Sequence, residues 1–295
     1  MIRTWKISKT KFDEVHFVDE SSLDAITRQL PDGYYSTFRT YDSCTRVIGL
    51  SAHMRRLPNA DASSLRRKLL LLLEPYRPGE ARVRVMETKQ GKFYISIEPL
   101  KLLPHEVYEK GVRVETTSIQ RNDPRTKSTA FITASDEERK YLAKAGIFEA
   151  LLVKNGKILE GMTSNFFYTH RPERSEERSS RQAQTKGASS AGLTSINPSA
   201  QRDILFTAQR NILLGITRTM VIRAARGRGV EVKYQPLELN QLPAVKEAFI
   251  TSSSRGIVPV IQIDDVQIGQ GRVGQLTKEL MLAYAETVLK NSEKL

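Results

Sequence analysis

Between Arg125 and Tyr168 the sequence sets a lysine between two small hydroxyl residues, in RTKSTAF, then a helix-length segment, then two short apolar runs that end in EGMTSNFFY. No other stretch limits the possible folds as much. The two runs, EALLVK and KILEG, flank Asn155-Gly156, a strong hairpin signal because both residues tolerate the positive φ of a tight antiparallel turn. Upstream, Ser135 precedes Asp136, Glu137 and Glu138, and Gly146 follows the segment, so ASDEERKYLAKAG is predicted to be a helix with a capping serine and a glycine stop. This order suits a buried amine, Lys127, and a buried carboxylate, Glu160, facing one ligand.

The rest of the chain supplies alternating strands and helices. GYYSTFRTY (33–41) has the aromatic and β-branched content of a strand, and TRVIGL (45–50) can return antiparallel to it across Asp42 to Cys44. A helix is expected in SSLRRKLLLLLEPY after the start signals Asp61 and Ser63. ARVRVMET and KFYISIEPL alternate as strands around the turn Lys89 to Gly91, GVRVETTSI adds another, and the polar QRNDPR reads as a connector. After it come LLGITR, the helix TRTMVIRAARGRG, the strands VEVKYQPL, EAFITSSS and VPVIQIDD, and a last helix from about Gly274 to Asn291. The pattern predicts an α+β fold in two domains: a smaller one over 1–120, a connector over 121–126 and a larger one over 127–295. Residues 171–203 are rich in Ser, Arg, Gln, Ala and Gly and poor in large apolar groups, so they read as a disordered insertion within the larger domain. Nothing repeats at a period of 20 to 50 residues, which argues against a solenoid.

Composition narrows the function. With 39% apolar residues in 295, sizeable cores are available. Cys44 is the single cysteine, so no internal disulfide forms, and no cysteine and histidine spacing suggests a metal site. The first twenty residues carry charges throughout and offer no signal peptide, and Leu69 to Leu73 is far shorter than the roughly 20 residues that span a bilayer. A cytoplasmic protein without membrane contact is expected. A net charge of +13 and a pI near 9.8 would suit nucleic acid. The basic residues are spread along the chain without interleaved aromatics, however, so no nucleic-acid partner is expected and a site for anionic small molecules fits better.

Seven motifs occur in one order: GYYSTFRTY, HMRRL, RTKS, EALLV, LEGMTSN, LLGITR and TSSSRGIVPV. As a set they resemble the class IV aminotransferases, the fold-type IV pyridoxal 5'-phosphate enzymes that include branched-chain and D-amino-acid aminotransferases and aminodeoxychorismate lyases. The likeness runs from about Gly33 to Tyr284. It implies a cofactor in an interdomain cleft and a homodimer. Lys127 matches the lysine that holds the cofactor as a Schiff base and moves the substrate's α-proton, and Glu160 the carboxylate that keeps the pyridine nitrogen protonated. Gly215, Ile216 and Thr217, at a helix start, match the phosphate cup, together with Ser252, Ser253 and Arg56. Tyr35, Arg39, Ser254 and Arg255 fall on the substrate side, Ser164 and Asn165 orient neighbours, and His53 is a structural hydrogen-bonder.

Three departures bear on specificity. Ser36 stands where the family usually has glutamate, Arg255-Gly256 replaces a small residue followed by glutamate, and KLLPHEVYEK lacks the Arg-x-His pair of D-amino-acid aminotransferases. The resemblance therefore implies ping-pong transfer of an amino group between an amino acid, branched-chain-like rather than D, and a 2-oxo acid. An aminodeoxychorismate lyase releasing pyruvate is the alternative. A non-catalytic basic binding module is a third reading, against which the retention of both Lys127 and Glu160 counts.

Overall fold

Two antiparallel-rich sheets follow from the alternating segments. The computed structural model describes residues 1–8, 11–170 and 203–295. In the first sheet β1 (Arg3–Ile7), β2 (Phe12–Val15), β3 (Gly33–Tyr41), β4 (Arg46–Val47), β5 (Ala81–Thr88), β6 (Phe93–Pro99) and, from the far end of the chain, β17 (Glu293–Lys294) lie in the order β17-β4-β3-β5-β6-β1-β2, with every pair antiparallel. The expected return strand after β3 is short: only Arg46 and Val47 pair, and Leu50 already begins helix α2 (Leu50–Met54). Strands β1 and β2 and helix α1 (Leu23–Arg28) were not legible in the sequence.

The leucine run forms α3 (Ala62–Leu73), whose N-terminus is capped by the Asp61 carboxylate accepting from the Ser63 and Ser64 amides. Helical spacing explains the run: Leu65, Leu69, Leu72 and Leu73 are buried against Phe38, Val83 and Ile95 of the sheet, whereas Leu70 and Leu71 face outward. Each fully buried leucine contributes about 1.5–3 kcal/mol.

The second sheet has ten strands: β7 (Val112–Thr117), β8 (Glu149–Lys154), β9 (Lys157–Gly161), β10 (Asn165–His170), β11 (Ile204–Thr207), β12 (Glu231–Tyr234), β13 (Leu237–Glu238), β14 (Val245–Ser252), β15 (Gly256–Ile263) and β16 (Val266–Gln267). The order is β12-β11-β10-β14-β15-β7-β8-β9-β13, and an added pairing of β10 with β9 closes six of them into a ring. Asn155 and Gly156 have φ of 50° and 70°, as the tight β8–β9 turn requires. Strands β10 and β11 pair antiparallel, Phe167 opposite Thr207. The insertion expected at 171–203 joins them and, Asp203 apart, lies outside the described residues.

Among the described residues the remaining α-helices are α4 (His105–Lys110), α5 (Ala130–Ala134), α6 (Asp136–Ala145), α7 (Ile216–Gly227) and α8 (Gln275–Asn291). Gly146 ends α6 in the left-handed conformation. The helix expected over ASDEERKYLAKAG is α6, but Ser135 does not cap it: its hydroxyl donates back to the Phe131 carbonyl of the unexpected short helix α5 at 2.6 Å and accepts from Arg139.

Candidate active site

A cleft of about 480 Å³ opens where the two sheets meet. Lys127 enters it from the strand-like segment after the connector, because its backbone carbonyl accepts from the Tyr35 amide at 3.0 Å and the next residue, Ser128, bridges to Tyr34 of β3. The lysine is thus fixed by its main chain, leaving the side chain free to point at a ligand. Its Nζ lies 4.9 Å from the centre of the Tyr35 ring, and Arg84 covers the same ring at 4.6 Å. Desolvation, reinforced by the positive charges of Arg121, Arg56 and Arg84, holds the Lys127 pKa well below the ordinary lysine value. A lowered pKa leaves more of the amine in its neutral form, the one that acts as nucleophile and base, than an exposed lysine has.

Glu160 lies across the cleft at the end of β9, 2% exposed and directly opposite Asn165 in the β9–β10 ladder. Its Oε1 accepts from Arg121 Nε at 2.9 Å, and its Oε2 accepts from the Leu213 amide at 3.0 Å and Asn165 Nδ2 at 3.2 Å. Burial lifts its pKa to about 7 against the opposing pull of Arg121. Arg121 also donates to the Met162 carbonyl and stacks on Phe131 at 3.8 Å.

Gly215 opens the third wall. Asn165 Nδ2 donates to the Leu213 carbonyl at 2.7 Å, and a Cβ on Gly215 would sit 2.1 Å from Asn165 Oδ1, so only glycine lets the turn close on the asparagine. The turn delivers the N-terminus of α7 to the cleft without any side-chain cap, and Gly215, Ile216 and Thr217 line it with Arg56, whose Nη2 donates to the Leu214 carbonyl at 2.9 Å. Uncapped amides, the helix dipole and a guanidinium in one place have the chemistry to hold an anion.

Of the residues expected from the sequence, Lys127, Glu160, Arg56, Gly215, Ile216, Thr217, Ser253, Tyr35, Ser254 and Arg255 all line this cleft. Ser252 and Arg39 do not. Ser252 turns its hydroxyl to Arg255 Nε at 3.1 Å, and Thr251, one residue earlier on β14, reaches the cleft instead because side chains alternate along a strand. Arg39 lies over the Tyr41 ring at 4.7 Å in a separate recess with Tyr108 and Tyr284. His53 is buried and shares a 2.8 Å hydrogen bond with Ser36, the residue in the place of the family's glutamate. Sequence reasoning missed Arg121, Arg84 and Thr251. Arg121 stands in the polar stretch taken as a connector, and nothing in its neighbours marks it.

The ringed second sheet, the smaller sheet docked against it and the lysine and carboxylate facing each other between them define a two-domain α+β enzyme of fold type IV. The chain belongs to the class IV aminotransferase family: the family model described as Amino-transferase class IV matches residues 33–263. It is a transaminase of that class. Over 281 residues it is 28% identical to a putative branched-chain-amino-acid aminotransferase of Methanocaldococcus jannaschii, with 84% of each chain covered. A D-alanine aminotransferase of Bacillus licheniformis is 22% identical over 290 residues, covering 90% of this chain and 91% of its own. Among solved structures, a hypothetical aminotransferase from Mycobacterium tuberculosis in its PLP-bound form superposes with a TM-score of 0.71 over 98% of this chain and 99% of its own, at 15% identity.

Proposed function

We propose that the chain is a pyridoxal-5'-phosphate-dependent aminotransferase acting on a branched-chain-like amino acid and a 2-oxo acid, as a cytoplasmic homodimer. The observation that carries this reading is the convergence of Lys127, Glu160 and the Gly215–Thr217 cup on one cleft, three parts that are far apart in the sequence. The residues fit the cofactor. Thr251 Oγ1 is buried on the cleft wall with no partner among the described residues, an orphan that a polar ligand would satisfy. Arg56 and the uncapped start of α7 would hold the phosphate, and Glu160 would accept from the ring nitrogen. The bound group supplies an electron sink.

The chain's own residues do the rest. With the cofactor bound, Lys127 would hold it and then, as a base, would take the proton from the substrate's α-carbon and deliver a proton to the carbon on the other side of the substrate nitrogen, so its lowered pKa would matter in both directions. Glu160 is kept oriented by Arg121, Asn165 and the Leu213 amide, and so holds its charge in one place throughout. Tyr35, pinned between Lys127 and Arg84, limits where the lysine can swing.

The homodimer is supported by α8. Among the described residues, Leu282 and Leu289 on that helix are 66% and 78% exposed, and an apolar groove formed by Ile257, Met281, Tyr284 and Val288 opens beside Arg255, a face that a second copy would cover. No helix among the described residues is long and apolar enough to cross a membrane. The test is a panel of L- and D-amino acids added to the yellow protein, with the loss of cofactor absorbance and the keto acid formed read together. L-Leucine, L-isoleucine or L-valine giving the fastest loss is the expected result. Reaction with D-amino acids alone, or pyruvate released without consumption of a keto acid, overturns the assignment.

A further inference from the structure

Arg255 lines the cleft, yet its guanidinium is already committed. Its Nη2 donates to Glu149 Oε2 at 2.7 Å and to Thr163 Oγ1 at 2.6 Å, its Nε donates to Ser252 Oγ at 3.1 Å, and its plane lies 5.1 Å from the Phe148 ring. Glu149, at the head of β8, is 3% exposed, and its other oxygen accepts from the Thr163 amide at 2.6 Å, the Thr163 hydroxyl at 3.0 Å and the Ser164 hydroxyl at 2.9 Å. Space for that carboxylate depends on Gly161, where a Cβ would lie 2.7 Å from Glu149 Oε1 and 2.2 Å from Ser164 Oγ. Burial pushes the Glu149 pKa up, but Arg255 and the donors of Thr163 and Ser164 outweigh it and leave the pKa below the ordinary value. The pair is therefore ionised at neutral pH, and it joins two turns. One is 161–164, between Glu160 and Asn165. The other is 252–255, which carries Ser253 and Ser254 to the cleft beside Thr251.

The geometry points to Arg255 as a positioning residue and not a ligand for the substrate's carboxylate: with Glu149 it straps the turn that carries Ser253 and Ser254 to the turn that follows Glu160. This rests on the aminotransferase reading above and deepens it, since the strap fixes the substrate-side wall relative to the carboxylate that serves the cofactor. A planar guanidinium suits this work because it can satisfy three acceptors in fixed directions, which an ammonium cannot. The Arg255 carbonyl is held as well, by the Tyr108 hydroxyl at 2.9 Å, and Gly256 completes the turn with φ of +69°.

The test compares the cofactor-loaded wild type with Arg255→Gln, Glu149→Gln, the double variant and Arg255→Lys. Two readouts are taken: amide hydrogen exchange in the peptides covering 160–165 and 250–257, and KM against kcat for the amino donor. Exchange in both peptides is expected to rise about tenfold in either glutamine variant, with the double variant no worse than the worse single one, as for one shared link. KM is expected to rise about tenfold in both, with kcat within a few-fold and the cofactor spectrum unchanged. Arg255→Lys should fall between, and it carries the test if a glutamine variant does not fold. Unchanged exchange in both turns overturns the strap. So does a KM that rises in Arg255→Gln but not in Glu149→Gln, which is the signature of a direct substrate contact. Raised exchange in a protein whose wild type transaminates no amino acid leaves the strap standing and overturns the aminotransferase reading instead.

Discussion

Lys127→Ala is expected to lower transamination by at least about a thousandfold, because one amine both anchors the cofactor and carries the α-proton, and proton transfer alone is worth ~10²–10⁴. The loss should be chemical and not structural. The lysine's fold-supporting contact is its carbonyl, which accepts from Tyr35 and remains in the alanine variant. The side chain even opposes folding: its pKa in the folded protein lies below the unfolded value, so the unfolded chain binds more protons and stability rises with pH. The penalty is absent above the unfolded value near 10.4 and grows as pH falls below it. Without cofactor, the alanine variant should therefore melt no lower than the wild type at pH 10 and higher than it at pH 7. An external amine added to the variant should restore part of the turnover. Retention of most activity in the variant would remove Lys127 from the mechanism.

Glu160→Gln is expected to cut kcat on the order of a hundredfold, about 3 kcal/mol in the barrier, while changing cofactor affinity only a few-fold. Arg121 donates to one carboxylate oxygen and the Leu213 amide and Asn165 to the other, so the single amide oxygen keeps one of these two sides and turns its NH2 toward the other, and it offers no charge to a protonated ring nitrogen. The pH profile separates this from simple damage. Burial holds the Glu160 pKa up at about 7 even with Arg121 beside it, and a positive ring nitrogen would pull it lower. The wild-type kcat should therefore show an acid limb with its midpoint at or below about 7, with activity lost as the carboxylate protonates. The glutamine variant should lack that limb. A variant with wild-type turnover would place the cofactor's carboxylate elsewhere.

Local signals carried the fold a long way, and long-range contacts set its limits. Asn155-Gly156 specified its turn because positive φ is a property of those residues themselves, and the leucine run of α3 showed its buried face through spacing alone. Ser135 misled because a serine hydroxyl can serve the carbonyl behind it as readily as the amides ahead. Strand β1 escaped notice because Thr4 and Trp5 gain their burial from Ser96 and Ile95, about ninety residues later.

In the site, Lys127 and Glu160 stood out through the ordered motifs. Arg121 did not, since its role exists only where the connector passes over Glu160. The exchange of Ser252 for Thr251 turns on strand register, where a shift of one residue reverses the face. Arg39 shares β3 with Tyr35, but four residues of strand twist carry it out of the cleft and onto Tyr41.

The measurement that bears most directly on the central claim is borohydride reduction of the yellow, cofactor-loaded protein followed by peptide mapping. The account predicts a single pyridoxyl label, on Lys127. A label on any other lysine, or protein that binds the cofactor but takes no label on reduction, would contradict it.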